Sequence, residues 1–191
     1  FALIMGPLAG PVNDVDLGMR FVEGGDDNHE ATFVMPEILV PICSPTYQRE
    51  YDEAVSVLDQ PATTLINLSE AQPNWPDFFL SARGRAAHNE MLFSDYAIVV
   101  QAALLGQGVA IGWLNVVAHW LRKNALIPAQ NRLLPTYRKC HLIRLRDKPA
   151  RPIVAEVRDW IITELMDDIS AITAMYPSLG LEEALQGGQP I

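Results

Sequence analysis

The side chains that most often carry out covalent or metal chemistry are scattered in this chain. The four histidines, His29, His88, His119 and His141, form no evident metal pair with another His, Cys or acidic residue. The chain has no Gly-x-Ser-x-Gly, phosphate loop, dinucleotide glycine fingerprint or His-Glu-x-x-His. Ser94, next to Asp95, lacks any indicated base that would activate it as a nucleophile. The residues therefore favour a binding module over an enzyme, with no cofactor and no metal.

The two cysteines, Cys43 and Cys140, lie in two long extended runs. A secreted disulfide framework needs more cysteines, so a reducing, cytoplasmic compartment is favoured. If the extended runs cross side by side, the thiols would be neighbours and could act as a redox switch. Two buried free thiols are the preferred interpretation.

Composition limits the possible partners. The chain has 191 residues, is 49% hydrophobic and 19% charged, and carries a net charge of -9. This predicts one large globular domain or two small lobes, and argues against direct contact with nucleic acid phosphates. No apolar run reaches the roughly 20 residues that a membrane span requires. The chain begins at Phe1, and no signal peptide is visible.

Apolar runs and turn residues predict alternating strands and helices. Strands are predicted for "FALIMG", "DVDLGMRF", "ATFVMPEILVPICSP", "TTLINLS", "AAHNEMLF", "VAIGW" and "YRKCHLIRLRD". Pro36 and Pro41 inside the third run indicate an edge, a bend or a crossing point. Helices are predicted for "NWPDFFLSARG", which would end at Gly84, for "NVVAHWLRKN", and for an amphipathic segment of about five turns after Pro152. "VEGGDDNHEA" is interpreted as a solvated acidic loop, with a cation site as the alternative. This order predicts an α/β fold with mostly parallel strands.

The segment from Phe93 to Trp113 is the most regular. Ser94 is predicted to be the N-cap of a helix, and Asp95 suits the positive end of the helix dipole. The helix is apolar from Tyr96 to Leu105 except at Gln101, so it is expected to be buried on most faces. Gly106 suits the left-handed residue that ends a helix.

The order of these pieces resembles the effector-binding domain of LysR-type transcriptional regulators, especially the subgroup of the glycine-cleavage regulator. The matching stretches are "DVDLGMRF", "EILVPICSPTY", "FSDYAIVVQAALLGQGVAIGW" and "PIVAEVRDWIITEL". The resemblance covers roughly residues 1–168. It implies two Rossmann-like lobes joined by two crossover strands, similar to type 2 periplasmic binding proteins.

The resemblance also implies the domain boundaries. The first lobe would hold residues 1–42 and 146–175, the second residues 43–145, and residues 176–191 would form a C-terminal tail. The first strand and helix of the first lobe would be missing from the chain. The winged helix-turn-helix that precedes this domain in the family, and that would bind promoter DNA, is also absent. A homodimer or homotetramer is expected by resemblance only.

A small effector would bind between the lobes, where the strand ends face each other. In the second lobe the positions are Asn67, Ser69, Ser94, Asp95 and Trp113, and in the first lobe Met5, Gly6, Arg20 and Phe21. The helix N-terminus at Ser94 and the charge of Arg20 indicate an anionic metabolite, such as an organic acid or an amino-acid-like compound. For each position a structural alternative stays open: Arg20 as a tie between loops, Trp113 as core, and Asn67 and Ser69 as turn residues.

Two other functions are possible. A periplasmic solute receptor of the same fold would carry a signal peptide upstream in place of a winged helix. An unrecognised α/β enzyme would need a catalytic pair that the sequence does not show. The regulator domain is the leading hypothesis.

Overall fold

Strands and helices alternate along most of the chain, as the apolar runs predict. The computed structural model describes residues 3–5, 15–22, 28–49, 58, 63–69, 75–78, 89–149 and 151–186. The strands are β1 (Leu3–Met5), β2 (Leu17–Val22), β3 (His29–Cys43), β4 (Thr64–Leu68), β5 (Asn89–Phe93), β6 (Val109–Trp113), β7 (Ile127–Pro128) and β8 (Leu134–Leu145). The helices are α1 (Pro45–Arg49), α2 (Trp75–Phe78), α3 (Tyr96–Leu104), α4 (Leu114–Arg122), α5 (Pro152–Met175) and α6 (Leu181–Gln186), with a 3-10 turn at Pro177–Leu179.

Within the described residues these strands form one eight-stranded sheet. Its order is β1-β2-β8-β3-β6-β4-β5, and β7 pairs with β3 on the edge that β8 also uses, opposite β6. Pairing is parallel between β1 and β2 and between β4 and its neighbours β5 and β6. The pairs that involve β3 or β8 are antiparallel. The expectation of mostly parallel strands is therefore wrong, because β3 and β8 carry the chain in opposite directions between the two parallel groups.

The two long strands at the centre of the sheet cross from one group to the other. β3 has 15 residues and β8 has 12. Their register shifts between Phe33 and Met35 and again between Pro36 and Ile38. Pro36, which cannot donate a ladder hydrogen bond, lies at this irregularity. The prediction of a bend or crossing point at this proline is confirmed.

The apolar residues form a large core with a smaller one beside it. The large cluster includes Ile38 and Val40 of β3, Val99 and Ala103 of α3 and Ile172 of α5. The smaller cluster includes Leu39, Tyr47, Trp75, Phe78 and Trp113. The partly buried side chains of Phe21, Leu68 and Tyr96 pack against both clusters. These shared residues lie where the candidate site was predicted.

Helix α3 is buried on one face only. Val99, Val100, Ala102 and Ala103 are buried, whereas Ile98 is 47% exposed and Leu105 is 72% exposed. The expectation that this helix is buried on most faces is wrong, because the structure packs only one side of it against the sheet. Gly106 after the helix has φ +73, which confirms the predicted left-handed residue.

Helix α5 begins at Pro152 as predicted and runs further than the five predicted turns. Val154, Leu165 and Ile169 face the core, and the buried Asp168 pairs with Arg122 of α4 at 2.9 Å. Strand β3 begins at His29, so the end of the predicted acidic loop is strand. Gly84, the predicted end of the helix that contains α2, lies outside the described residues.

The cysteines are too far apart for a redox switch. Both are free and buried. Cys140 pairs with Met35, whereas Cys43 is the last residue of β3. Eight residues of strand separate Met35 from Cys43, which is a distance of roughly 26 Å. Burial raises the pKa of the Cys43 thiol from 9.0 to about 12. Burial first and the charge of Glu37 second raise the pKa of the Cys140 thiol from 9.0 to about 12.

Among the described helices, none combines the length and the apolar character that a membrane crossing requires.

Candidate functional site

Phe21 at the end of β2 lies against a guanidinium group from β8. The Cζ atom of Arg138 is 5.3 Å from the centre of the Phe21 ring, within the range of a cation–π contact. Arg20 precedes Phe21 in the same strand and is half-buried. Because successive side chains of a strand point to opposite faces, the structure does not bring Arg20 to the same face as Phe21.

Trp113 at the end of β6 is held by three polar and aromatic contacts. Its indole Nε1 donates to Oε1 of Glu37 at 2.7 Å. Its backbone N–H donates to the Tyr96 hydroxyl at 2.9 Å, and the two rings meet edge to face with centroids 4.6 Å apart. Burial raises the pKa of Tyr96, and the hydrogen bond from Trp113 opposes that rise. The hydroxyl is therefore protonated at neutral pH and donates to the carbonyl of Ile111 at 3.3 Å.

Glu37 of β3 is the centre of this cluster, and it is 1% exposed. Besides Trp113, its carboxylate accepts from the Thr136 hydroxyl at 2.5 Å and from Nε of Arg138 at 2.8 Å. Nη2 of Arg138 donates to the other carboxylate oxygen. This fork-shaped pairing offsets part of the cost of burying a charge. We call Glu37, Thr136, Arg138, Trp113 and Phe21 the crossing cluster, because β3 and β8 supply its centre.

The three members of this cluster that lie on the crossing strands, Glu37, Thr136 and Arg138, were not predicted from the sequence. Glu37 is the only charged residue in the apolar run "VMPEILVPIC", and a lone carboxylate in such a run needs a buried partner. Thr136 and Arg138 are two residues apart in β8, so they point to the same face of the sheet. These two signals together indicate a polar pair between the crossing strands.

The two predicted polar residues at the end of β4, Asn67 within it and Ser69 just after it, lie in different surroundings. Asn67 is 7% exposed, and its Oδ1 accepts from the indole Nε1 of Trp75 at 2.6 Å. Its amide oxygen is therefore already engaged within the core. Ser69 is exposed, and its backbone N–H donates to the carbonyl of Phe93 at 2.8 Å. This bond brings Ser69 next to the start of the segment that contains Ser94.

Asp95, not Ser94, is the N-cap of α3. Asp95 has an extended backbone with φ -125 and ψ 127, and its Oδ1 accepts the Ala97 N–H at 2.8 Å. The predicted cap is wrong by one residue, because the helix begins at Tyr96 and Ser94 lies one position further out. Both side chains are exposed. The carboxylate of Asp95 occupies the positive end of this helix and competes with any anionic ligand there.

The two remaining predicted positions are near the start of the chain. Met5 is the last residue of β1 and pairs with Met19 of β2. Gly6 lies outside the described residues. The structure thus brings together Phe21 and Trp113 through Glu37 and Arg138, and it separately joins Ser69 to Phe93, the residue before Ser94.

No group of three or more His, Cys, Asp or Glu side chains in the described ranges could hold a metal ion. The crossing cluster offers a guanidinium, a carboxylate, two aromatic faces and one hydroxyl group.

Comparison with known proteins identifies the family. The model of the LysR substrate binding domain matches residues 12–166. The HTH-type transcriptional activator AmpR of Citrobacter freundii is 25% identical over 153 residues, which are 77% of this chain and 50% of that protein. The chain therefore spans half the length of this curated relative.

Two solved structures have a similar fold. The effector domain of AmpR from Pseudomonas aeruginosa is 21% identical, with a TM-score of 0.58 over 84% of this chain and 78% of that chain. The CrgA regulatory domain from Neisseria meningitidis is 18% identical, with a TM-score of 0.56 over 82% of this chain and 81% of that chain. At this level of identity the likeness shows the fold alone, and it confirms the predicted α/β class.

The family match favours the regulator hypothesis over a periplasmic receptor. Together with the sheet and its two crossing strands, it shows that the chain belongs to the LysR substrate binding domain family, the effector-binding domains of LysR-type transcriptional regulators.

Proposed function

We propose that the chain senses a small effector that binds between two lobes, and that it performs no chemical reaction. The first lobe holds residues 1–42 and 146–175, the second holds residues 43–145, and residues 176–191 form a tail. Sheet pairing supports this division, because β1 and β2 lie on one side of the crossing strands while β4, β5 and β6 lie on the other.

The crossing cluster carries this proposal. Phe21 comes from the first lobe and Trp113 from the second, and both contact the Glu37–Arg138 pair between them. A ligand that changes the angle between the lobes must therefore change the geometry of this pair. Such a coupling between a binding site and a shape change is what an effector domain requires.

The proposed effector is an anionic metabolite, such as an organic acid or an amino-acid-like compound. Arg138 is 30% exposed and two of its nitrogens engage Glu37, which leaves Nη1 for a further partner. Arg20, on the other face of β2 from Phe21, remains a predicted second guanidinium. The walls of the site are formed by Phe21, Trp113, Ser69, Ser94 and Asp95, and Met5, Gly6 and Asn67 remain predicted members.

A thermal-shift screen of metabolites tests the proposal. We expect anionic compounds to raise the unfolding temperature of the chain. Arg138→Gln should abolish that shift, whereas Arg132→Gln, which removes an exposed arginine outside the cluster, should preserve it. Stabilisation by neutral or cationic compounds alone would contradict the anionic class. A shift that survives in both Arg138→Gln and Trp113→Phe would contradict the site.

The whole protein is proposed to be a cytoplasmic transcription regulator of the glycine-cleavage regulator subgroup. A winged helix-turn-helix N-terminal to this domain would bind promoter DNA, and the effector would alter the packing of a homodimer or homotetramer. The helix-turn-helix in the name of the AmpR relative supports this organisation. Light scattering of the chain with and without effector tests the assembly, and an unchanged monomer would contradict it.

A further inference from the structure

A small cavity lies at the opposite end of the crossing strands from Glu37. Its volume is about 170 Å³. Glu30 and Thr32 near the start of β3 line the sheet side, together with Arg144 of β8, which pairs with Glu30 across the two strands. Arg151 and Arg158, at and after the start of α5, complete the wall. Arg144 is six residues from Arg138 along β8, so the cavity is roughly 20 Å from the crossing cluster.

The charge of this cavity is opposite to that of the protein. Three guanidinium groups and one carboxylate line it, whereas the chain as a whole has a net charge of -9. Guanidinium groups keep their charge at any physiological pH, and their planar fork matches the oxygens of phosphate and carboxylate groups. The residues that line the cavity are thus net positive on an acidic molecule, while Asp16 and Asp159 pair with two of the arginines from outside the lining.

Each arginine already has a partner that an anion can replace or join. Arg151 pairs with the carboxylate of Asp16 at 2.5 Å. Arg144 binds Glu30 at 2.7 Å, and through Nη1 it also binds the carbonyl of Lys148 at 3.1 Å. Arg158 pairs with its neighbour Asp159 through an exposed contact. Ion pairs of this exposed kind contribute little to stability. Five N–H donors per guanidinium leave capacity for a second acceptor.

The start of helix α5 adds to the positive potential. This helix has 24 residues, its N-cap Arg151 makes no side-chain capping bond, and its first turn has no acidic residue. The backbone dipole at this end is therefore not neutralised by a carboxylate of the helix itself.

From the three arginines, the enclosed volume and the uncapped helix, we propose that this cavity binds a small oxyanion with at least two negative charges. Phosphate, a phosphate ester and a dicarboxylate share this chemistry. The bound anion links the ends of β3 and β8 to α5. The anion competes with the Glu30 carboxylate for Arg144. Glu30 therefore lowers the affinity of the cavity for the anion. The site is independent of the effector site between the lobes.

Calorimetric titration of the 191-residue chain with inorganic phosphate, at constant ionic strength, tests this site. We expect saturable binding with one site per chain. Arg144→Gln and Arg158→Gln should each weaken it at least tenfold, and Glu30→Gln should strengthen it at least threefold. Arg132→Gln, the matched loss of an exposed arginine elsewhere, should leave it unchanged.

Titrations with sulfate and with malonate distinguish a phosphate-type ligand from a dicarboxylate. Comparable binding of phosphate and sulfate with weak malonate binding indicates a phosphate-type ligand, and tight malonate binding indicates a dicarboxylate. The proposal is overturned if none of the three anions binds saturably to the wild-type chain or to Glu30→Gln. It is also overturned if Arg132→Gln weakens binding as much as Arg158→Gln does, because the effect would then come from net charge alone.

Discussion

Removing the Glu37 carboxylate should destabilise the chain strongly. In Glu37→Ala the Trp113 indole N–H loses its acceptor in a side chain that is only 8% exposed, which costs about 1–3 kcal/mol. Arg138 keeps a half-buried charge without its partner. Removing one partner of a buried pair typically costs about 3–5 kcal/mol, and we expect a loss of this size.

A double-mutant cycle separates the ion pair from the rest of the cluster. Glu37→Gln keeps the shape of the side chain, but its NH₂ group must face donors from Thr136 or Arg138, so we expect a loss of about 2 kcal/mol. Glu37→Gln combined with Arg138→Gln should cost less than the sum of the two single changes, by about 1–3 kcal/mol.

Urea unfolding, followed by tryptophan fluorescence and circular dichroism, measures these differences. If Glu37→Ala lowered the free energy of unfolding by less than about 1 kcal/mol, the reasoning would be refuted. Removing a buried carboxylate with these partners should leave their donors unpaired and cost more than that. Additive effects in the cycle would show that Glu37 and Arg138 do not interact in solution.

Three further predictions concern the elements around the site. Asp95→Ala should lower the free energy of unfolding by about 1 kcal/mol as a lost cap, while Ser94→Ala should change it by less than about 0.5 kcal/mol in the same urea assay. Gly108→Ala should cost about 3 kcal/mol, because its Cβ would be 2.4 Å from a backbone oxygen of β4, and an unchanged urea midpoint would contradict that packing. Cys43 and Cys140 should resist maleimide until the chain unfolds. Because their pKa rises from 9.0 to about 12 on folding, the unfolded chain ionises first, so stability should fall as pH rises from 9 towards 12, and less so in the double alanine variant.

The elements with strong local signals were predictable from the sequence. Gly106 and Pro152 mark the end of α3 and the start of α5, because each has a backbone preference that few other residues share. Ser94 was a weaker signal, since Ser and Asp are both good caps and only the backbone geometry shows that Asp95 is the one used.

The direction of strand pairing and the centre of the site depend on contacts between residues that are far apart in the sequence. Nothing near β3 indicates that its neighbours are antiparallel, because this follows from the return of the chain along β8. In the same way, Phe21 and Trp113 were predicted from strand ends, but the groups that join them, Glu37 and Arg138, are 101 positions apart in sequence.

That separation matters while the protein is being made. Residues 34–43 of β3 are ten consecutive buried positions, and their partner on one side is β8. At a synthesis rate of about 5–20 residues per second, β8 leaves the ribosome roughly 5–20 s after β3. During that interval the nascent chain exposes an apolar strand edge that chaperones can hold and that other chains can join. Strand β3 connects the two halves of the folded domain. It is thus also the part of the nascent chain that is most prone to aggregate during translation.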